Sequence, residues 1–567
     1  MNWMVENTEN DGVHKRSTTD VVIVGAGAAG LYALYRLRKE GYACRVFDSA
    51  DGVGGTWHWN RYPGCRVDVE SVEYNYMFDP ELDQEWEWSE RYAAQPELLS
   101  YFNHVADRFD LRQDITLETR VESAVFDEES SSWDIRTDRG HAVRSRFLIM
   151  ATGFLSAPSK PAFEGLEDFA GEVYHSGTWP REEVDFNGKR VAIIGTGSTA
   201  VQMTPIIAEQ AAHLTVFQRT APYIIPLRNC PMPAEYLDRV KANYDKWRAA
   251  QRQHPTGALA LNFDIGAVET RLWNELTLEE REAGFNVRWE NGGLALLLNT
   301  WPDLFVNPVA NETVAEWVRE KTRERIHDPE LAEVMMPRDF PFGTKRLIAD
   351  SGYYEAFARD NVELLDAKAN PIERFSKRGL IAGGQEYEFD VVILATGFDA
   401  VTGAMLRVDI RGRRGLPVAE HWSTGPRTAL GLMTAGFPNL FFLDGPGSPA
   451  PLYHPILLSE LQTEWITNAF AHMRDRGAST IEPTDTLEHE YSEHLDEIAN
   501  ATLFPRANSW YMSANIPGKP RKCLMYLAGG LEYRRRINEA AAKCYSGFLF
   551  SHAGVKDAER EPAVAHA

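Results

Sequence analysis

The sequence predicts an α/β fold with two parallel sheets, and three observations predict it. Asp20-Val-Val-Ile-Val24 is a short apolar run that passes directly into Gly25-Ala-Gly-Ala-Ala-Gly30. The same order recurs at Arg190-Val-Ala-Ile-Ile194, which passes into Gly195-Thr-Gly-Ser-Thr-Ala200. Two more apolar runs, 147–150 and 391–394, both end in Ala-Thr-Gly, at 151–153 and 395–397. Unbroken apolar runs of this length are the pattern of parallel strands buried on both faces.

After the first glycine cluster, Leu31 to Glu40 carries apolar residues at helical spacing and Gly41 closes it. A second strand, 44–47, ends at Asp48, 18 positions after Gly30. Strand, turn, helix, strand and acid in this register are a Rossmann-like dinucleotide-binding unit; G-x-G-x-x-G alone would be weak evidence. Gly25 makes the tight turn, Gly27 lets a pyrophosphate approach the backbone, and Ala29-Gly30 lets helix pack on strand. The helix N-terminus offers free N–H groups to the pyrophosphate, and Asp48 suits a ribose.

The second unit repeats this with Gly195, Thr196, Gly197, Ser198, Thr199 and Ala200, then a strand over 214–218. Gln218 is followed by Arg219 and Thr220, with no carboxylate at the strand end. An arginine there suits a 2′-phosphate, which favours NADP over NAD; the alternative is a solvated surface arginine. The two Ala-Thr-Gly segments read as crossings between an outer domain and an inserted one. The outer domain is then 19–154 plus 398–551, and the inserted domain is 155–397. Between about 226 and 341 charged helical stretches such as 235–252 and 312–325 replace strand signals, giving a helical excursion expected to wall a pocket. Residues 1–18 and 552–567 read as loose polar tails.

Composition excludes several classes. Acidic residues outnumber basic ones 82 to 59, a formal charge of −23, which disfavours nucleic acid and anionic membrane as partners. No apolar run is long enough for a bilayer span. The five cysteines include no C-x-x-C pair, so neither a zinc site nor a redox dithiol is expected and a reducing cytoplasm fits. That absence also argues against disulfide reductases, which share the two-nucleotide plan.

Two dense segments carry more. Gly54-Gly-Thr-Trp-His-Trp-Asn-Arg-Tyr-Pro-Gly-Cys-Arg-Val-Asp68 holds glycines, two tryptophans and a Pro-Gly turn, a composition suited to packing along a flat ring. Phe169-Ala-Gly-Glu-Val-Tyr-His-Ser-Gly-Thr-Trp-Pro180 lies between the two glycine clusters. The latter resembles the F-x-G-x-x-x-H-x-x-x-W-P signature of type I Baeyer–Villiger monooxygenases (class B flavoprotein monooxygenases) at every fixed position, and the former resembles that family's second signature. Pro341-Phe-Gly-Thr-Lys-Arg346, Gly445-Pro-Gly-Ser448, Ser509-Trp-Tyr511 and Ala514-Asn-Ile-Pro-Gly518 resemble the phenylacetone and steroid monooxygenase branch. The resemblance covers about 19–551.

The resemblance implies FAD in the outer domain and NADPH in the inserted one. Reduced flavin captures dioxygen as a C4a-peroxide, which attacks a ketone; a tetrahedral adduct then rearranges to an ester or lactone. It assigns Arg346 to stabilising the anionic species and Asp68 to holding Arg346. Gly55, Thr56, Trp57, Trp59, Asp68, Tyr74 and Val121 fall to the FAD site, beside Gly25, Gly27, Ala29, Gly30 and Asp48. Arg66, Lys345, Arg346 and Trp510 join the NADP site, where Lys345 and Arg219 suit the 2′-phosphate and Trp510 resembles a mobile-loop tryptophan. His175 is read as a hinge between the nucleotide domains, not as acid or base. The substrate pocket departs from the branch: Phe154 replaces a usual polar residue, and Pro451, Leu452, Tyr453 and Pro455 form a stiffer, bulkier loop, so family substrate preferences do not carry over. The competing readings are a flavin monooxygenase that oxidises nitrogen or sulfur, which would not need Arg346, and a non-catalytic redox sensor. No metal is expected.

Overall fold

The computed structural model describes residues 17–259 and 269–552. The expected tails therefore fall largely outside the described residues, with one correction. Ser17 and Thr18 belong to the first strand, where they pair with Val143 and Arg144.

Two sheets organise the chain. In the larger, the strand Ser17–Val24 lies between Cys44–Phe47 and Ala142–Met150, parallel to both. Its last four residues are fully apolar and buried, as a parallel strand covered on both faces requires. An antiparallel hairpin, Val121–Asp127 with Ser132–Thr137, extends the sheet from Ala142–Met150. The chain rejoins this sheet late: Asp409–Arg411 pairs with Val121–Asp127, and Leu440–Phe442 pairs in parallel with Ala142–Met150. The smaller sheet is wholly parallel, ordered Val362–Asp366, His213–Gln218, Arg190–Ile194, Val391–Leu394, Glu172–His175.

Between residues 234 and 334 the described chain is helical. The stretch expected as one helix over 235–252 divides into Ala234–Lys241 and Tyr244–Gln253, with Asn243 in a non-helical conformation. Pro308–Arg325 runs longer than its expected core because Asn307 caps it, its side chain accepting from the N–H groups of Val309 and Ala310. The Arg325 guanidinium binds both oxygens of Asp350, each at 3.0 Å, tying this helix to the strand Ile348–Asp350. Among the described residues no helix is long and apolar enough to cross a membrane.

Candidate active site

Each glycine cluster sits at the carboxyl edge of its sheet. Gly25 has φ +112°, and a Cβ there would lie 2.4 Å from the Ala151 carbonyl oxygen. Gly195 has φ +116°, and its Cβ would lie 2.5 Å from the Ala395 carbonyl oxygen. Only glycine satisfies both the dihedral and the contact. The two helices that follow, Ala28–Lys39 and Ser198–Gln210, begin at Gly27 and Gly197 with no side-chain cap, so their first N–H groups remain available to an anion.

Gly55 packs on Gly27; a Cβ on Gly55 would be 2.8 Å from the Gly27 Cα. This close approach lays the short helix Thr56–Trp59 over the first glycine cluster. Thr56 is exposed, while Trp57 and Trp59 are half-buried. The Trp57 indole donates to the Tyr74 hydroxyl at 3.1 Å. Asp48 is committed to its own turn: Oδ2 accepts from Ala26 N at 2.6 Å and Oδ1 from Ala50 N at 2.8 Å. A carboxylate has further lone pairs, so this holds the turn without excluding a ribose. Val121 is buried at the start of its strand, and the preceding segment runs against Asp48, whose carbonyl accepts from Thr119 N.

At the second cluster, Thr196 Oγ1 donates to Thr220 O at 3.0 Å, closing the turn on the strand end. Gln218 is 4 % exposed, and its amide donates to Val334 O at 2.8 Å, which anchors the helical region. Arg219 is exposed and Lys345 lies over the Phe340 ring at 4.7 Å. Burial first and the Arg219 charge second hold the Lys345 ammonium below its ordinary value, with Asp339 opposing. The two cations thus share one field, and among the described residues neither forms an ion pair.

Asp68 and Arg346, 278 positions apart, meet directly: Nη2 donates to Asp68 Oδ2 at 2.6 Å and Nε to the same oxygen at 3.2 Å. Three features place Arg346. It precedes the strand Ile348–Asp350 by two residues. Phe342 N donates to Asn311 Oδ1 at 2.9 Å, and Asn311 Nδ2 returns a bond to Phe342 O at 3.0 Å, clamping the loop to the helix. Thr344 Oγ1 closes the loop on Pro341 O at 2.7 Å. Burial works against the Arg346 charge, but Asp68 and then Tyr511 outweigh it and raise its proton affinity further. Tyr511 is fully buried, and burial pushes its phenol up to about 12 against the pull of Arg346. Arg66 is turned elsewhere, donating to Glu90 Oε2 at 2.9 Å and Tyr92 O at 3.2 Å.

His175 ends the strand Glu172–His175. Its Nδ1 accepts from Gly177 N at 3.0 Å, and its Nε2 lies 3.0 Å from Ser159 O and 3.3 Å from Thr396 Oγ1. Burial lowers its proton affinity, so the neutral ring donates through Nε2 and links three segments, including the Ala395-Thr396-Gly397 crossing. Trp510 and Phe154 are both half-buried against Ala400, Val401 and Leu524. Leu452 packs on the cluster that contains Tyr511. Pro451 and Pro455 are half-buried, and Pro455 opens the helix Pro455–Arg476. Tyr453 departs from the expected pocket lining: it is 2 % exposed, its ring wedged against Gly257 and Gly530. The sequence gives Tyr511 no role of its own, although it lies within the segment Ser509-Trp-Tyr511. All five cysteines are free, and no group of three or more metal-ligating side chains occurs among the described residues.

A sequence profile described as pyridine nucleotide-disulphide oxidoreductase matches residues 22–226, which span both glycine clusters. An acetone monooxygenase (methyl acetate-forming) of Gordonia sp. (strain TY-5) is 43% identical over 537 residues, 94% of this chain and 99% of that protein. A Baeyer–Villiger monooxygenase of Pseudooceanicola batsensis is 41% identical over 553 residues, covering 97% and 98%. The chain belongs to the Baeyer–Villiger monooxygenases. It is an FAD- and NADPH-dependent flavoprotein that converts ketones to esters or lactones. Among solved structures, an oxidized steroid monooxygenase bound to NADP superposes with a TM-score of 0.89 at 47% identity, covering 94% of this chain and all of that one. An OTEMO complex with FAD and NADP gives 0.90 at 38% identity, covering 95% and 100%. The family's relatives extend to a phenazine N-monooxygenase, PhzNO1, of Lysobacter antibioticus, 37% identical over 95% of this chain and 98% of that protein. The residues present fit both cofactors: the Gly27–Gly55 cradle and the uncapped helix suit one pyrophosphate, and the uncapped second helix with Arg219 and Lys345 suits a phosphorylated nucleotide.

Proposed function

We propose that the Asp68–Arg346 pair is the oxygen-transfer centre of this chain, acting on uncharged ketones. The carrying observation is the contact itself: an arginine and a carboxylate far apart in sequence meet at 2.6 Å beside the first glycine cluster's aromatic cover. The sheet memberships support a FAD unit of 19–154 with 398–551 and an NADP unit of 155–397. When bound, FAD supplies the activation of dioxygen, using a hydride from NADPH.

The chain's own residues do the rest. Arg346 keeps its proton and presents a planar fork of donors, so it stabilises negative charge that develops on the attacked carbonyl oxygen. Asp68 fixes the fork's direction. Arg219 and Lys345 select the 2′-phosphate, with Thr220 at the same corner. Trp510, Phe154, Leu452, Pro451 and Pro455 offer half-buried apolar surface, which favours an uncharged ketone and excludes water. His175 couples the two nucleotide units. The free cysteines agree with a cytoplasmic setting.

Mixing the purified yellow protein with NADPH, air and linear, cyclic, aromatic and steroid ketones tests the reading. Products heavier by one oxygen, detected by mass spectrometry, are expected. Sulfides and aromatic N-heterocycles belong in the same panel because of the phenazine-oxidising relative; oxidation of those alone, with no ester from any ketone, would overturn it.

A further inference from the structure

Glu70 follows Asp68 by two residues and has no part in the chemistry above. It is fully buried, and its carboxylate pairs with Arg91, whose side chain is 11 % exposed. Arg91 Nη2 and Nε both donate to Glu70 Oε1, at 2.6 and 2.8 Å. The Tyr236 hydroxyl donates to Oε2. Burial first and Glu70 second raise that phenol, so it keeps its proton and remains a donor. The same guanidinium also reaches the end of the helix Leu278–Asn291: Nη1 donates to Asn291 O and Nη2 to Asn291 Oδ1, each at 2.8 Å. Desolvating a charge pair offsets most of its attraction, so net stability alone is a weak reason for this one.

Backbone contacts show what the pair holds. The segment around Asp68 runs beside residues 91–94, where Arg66 and Ala94 form an antiparallel bridge. Val67 N donates to Ala93 O at 3.1 Å on one side of Asp68, and Ser71 N donates to Arg91 O at 2.8 Å on the other. Arg91 N donates in turn to Cys230 O at 3.0 Å, and Tyr92 N to Asn229 Oδ1 at 2.9 Å. Asn229 and Cys230 follow the strand Ile224–Pro226, which pairs in parallel with Ile348–Asp350, the strand that Arg346 precedes. Gly293 N, two residues past Asn291, donates to Pro226 O at 3.1 Å. The contacts form a ring that leaves Arg346, passes through these two strands and Arg91, and returns to Asp68. The bonds from Arg91 to Glu70 and Asn291 brace the ring where it comes back to Asp68.

We propose that Glu70 is a positioning residue for oxygen transfer: paired with Arg91, it fixes the placement of Asp68 against Arg346. It acts through Asp68 and not on the substrate. The inference rests on the reading that the Asp68–Arg346 pair carries oxygen transfer.

Glu70→Gln keeps the side-chain shape and removes the charge that Arg91 binds. In the purified holoenzyme, ester and hydrogen peroxide formed per NADPH are measured with the best ketone of the panel above, beside the NADPH KM and the Tm. Misplacing a catalytic group by about 1 Å costs on the order of a hundredfold, so a partial displacement should cut ester per NADPH about three- to thirtyfold. Peroxide should rise to balance it, with the NADPH KM unchanged. A brace of purely structural importance would lower the Tm and leave ester per NADPH at the wild-type value, and that result overturns the proposal. In an Asp68→Ala background Glu70→Gln should cause no further loss; additive losses also overturn it. If Glu70→Gln does not fold, Arg91→Lys decides. Lysine keeps a charge opposite Glu70 but has no planar fork to span Glu70 and Asn291 together, so lowered ester per NADPH supports the proposal and a wild-type value refutes it. Asp68→Ala with normal ester yield removes the functional reading and the proposal with it. Loss of ester in Asp68→Ala beside a normal yield in Glu70→Gln overturns the proposal alone.

Discussion

Removing the Asp68 carboxylate should disable oxygen transfer without disabling the enzyme's use of NADPH. Asp68 supplies both bonds that hold Arg346, at 2.6 and 3.2 Å, and the two side chains are only about a quarter exposed. A hydrogen bond to a charged group contributes about 1.5–3 kcal/mol, and this site is too sheltered for solvent to replace it fully. If that energy orients Arg346 only where charge develops, Asp68→Ala loses roughly tenfold to 150-fold in ester formation. NADPH oxidation continues, with oxygen released as hydrogen peroxide. The assay follows ester by gas chromatography, NADPH by absorbance and peroxide by a coupled dye. Arg346→Ala and the double variant complete a cycle. Because Asp68 acts through Arg346, the double variant should be no worse than Arg346→Ala. Independent, additive losses, or an Asp68→Ala variant with normal ester yield, would refute the reasoning.

Four further outcomes follow from the same geometry. Arg219→Ala should raise the NADPH KM about ten- to a hundredfold, and an unchanged preference for NADPH over NADH would remove the 2′-phosphate from that corner. Lys345 must be protonated to hold that phosphate, and its proton affinity is depressed by burial and Arg219. The contribution is therefore complete below the free-enzyme pKa and lost as pH rises through that of the complex, so the NADPH KM should climb at alkaline pH in wild type and less in Lys345→Arg, while the NADH KM does not. Gly195→Ala forces a Cβ into the Ala395 carbonyl and should destabilise the fold by about 1–3 kcal/mol or more, read as a lowered Tm. Gly197→Ala meets nothing within 4 Å and should melt like wild type but bind NADPH more weakly.

Much of the fold was legible because its signals are local. The apolar runs at 20–24, 44–47, 190–194 and 391–394 became strands, since each needs only its own neighbours to be read. Boundaries were less visible: Ser17 and Thr18 are polar yet extend a strand, because pairing with Val143 and Arg144 outweighs their composition. The helix break at Asn243 carried no proline or glycine to mark it. Within the site, residue types were readable but commitments were not. The amide of Gln218 is taken by Val334, and the Tyr453 ring fits a gap left by Gly257 and Gly530, both contacts between residues distant in sequence. Tyr511 matters because it lands beside Arg346, 165 positions earlier in the chain, and no local pattern encodes that meeting.

The matched carbonyl contacts at Gly25 and Gly195 carry one more implication. Ala151 and Ala395 are also where the polypeptide leaves each sheet. Whatever presses on either phosphate cradle therefore presses on the residue at which the chain leaves that sheet. On the proposed division into two nucleotide units, a nucleotide seated in either cradle would bear directly on the crossing between them.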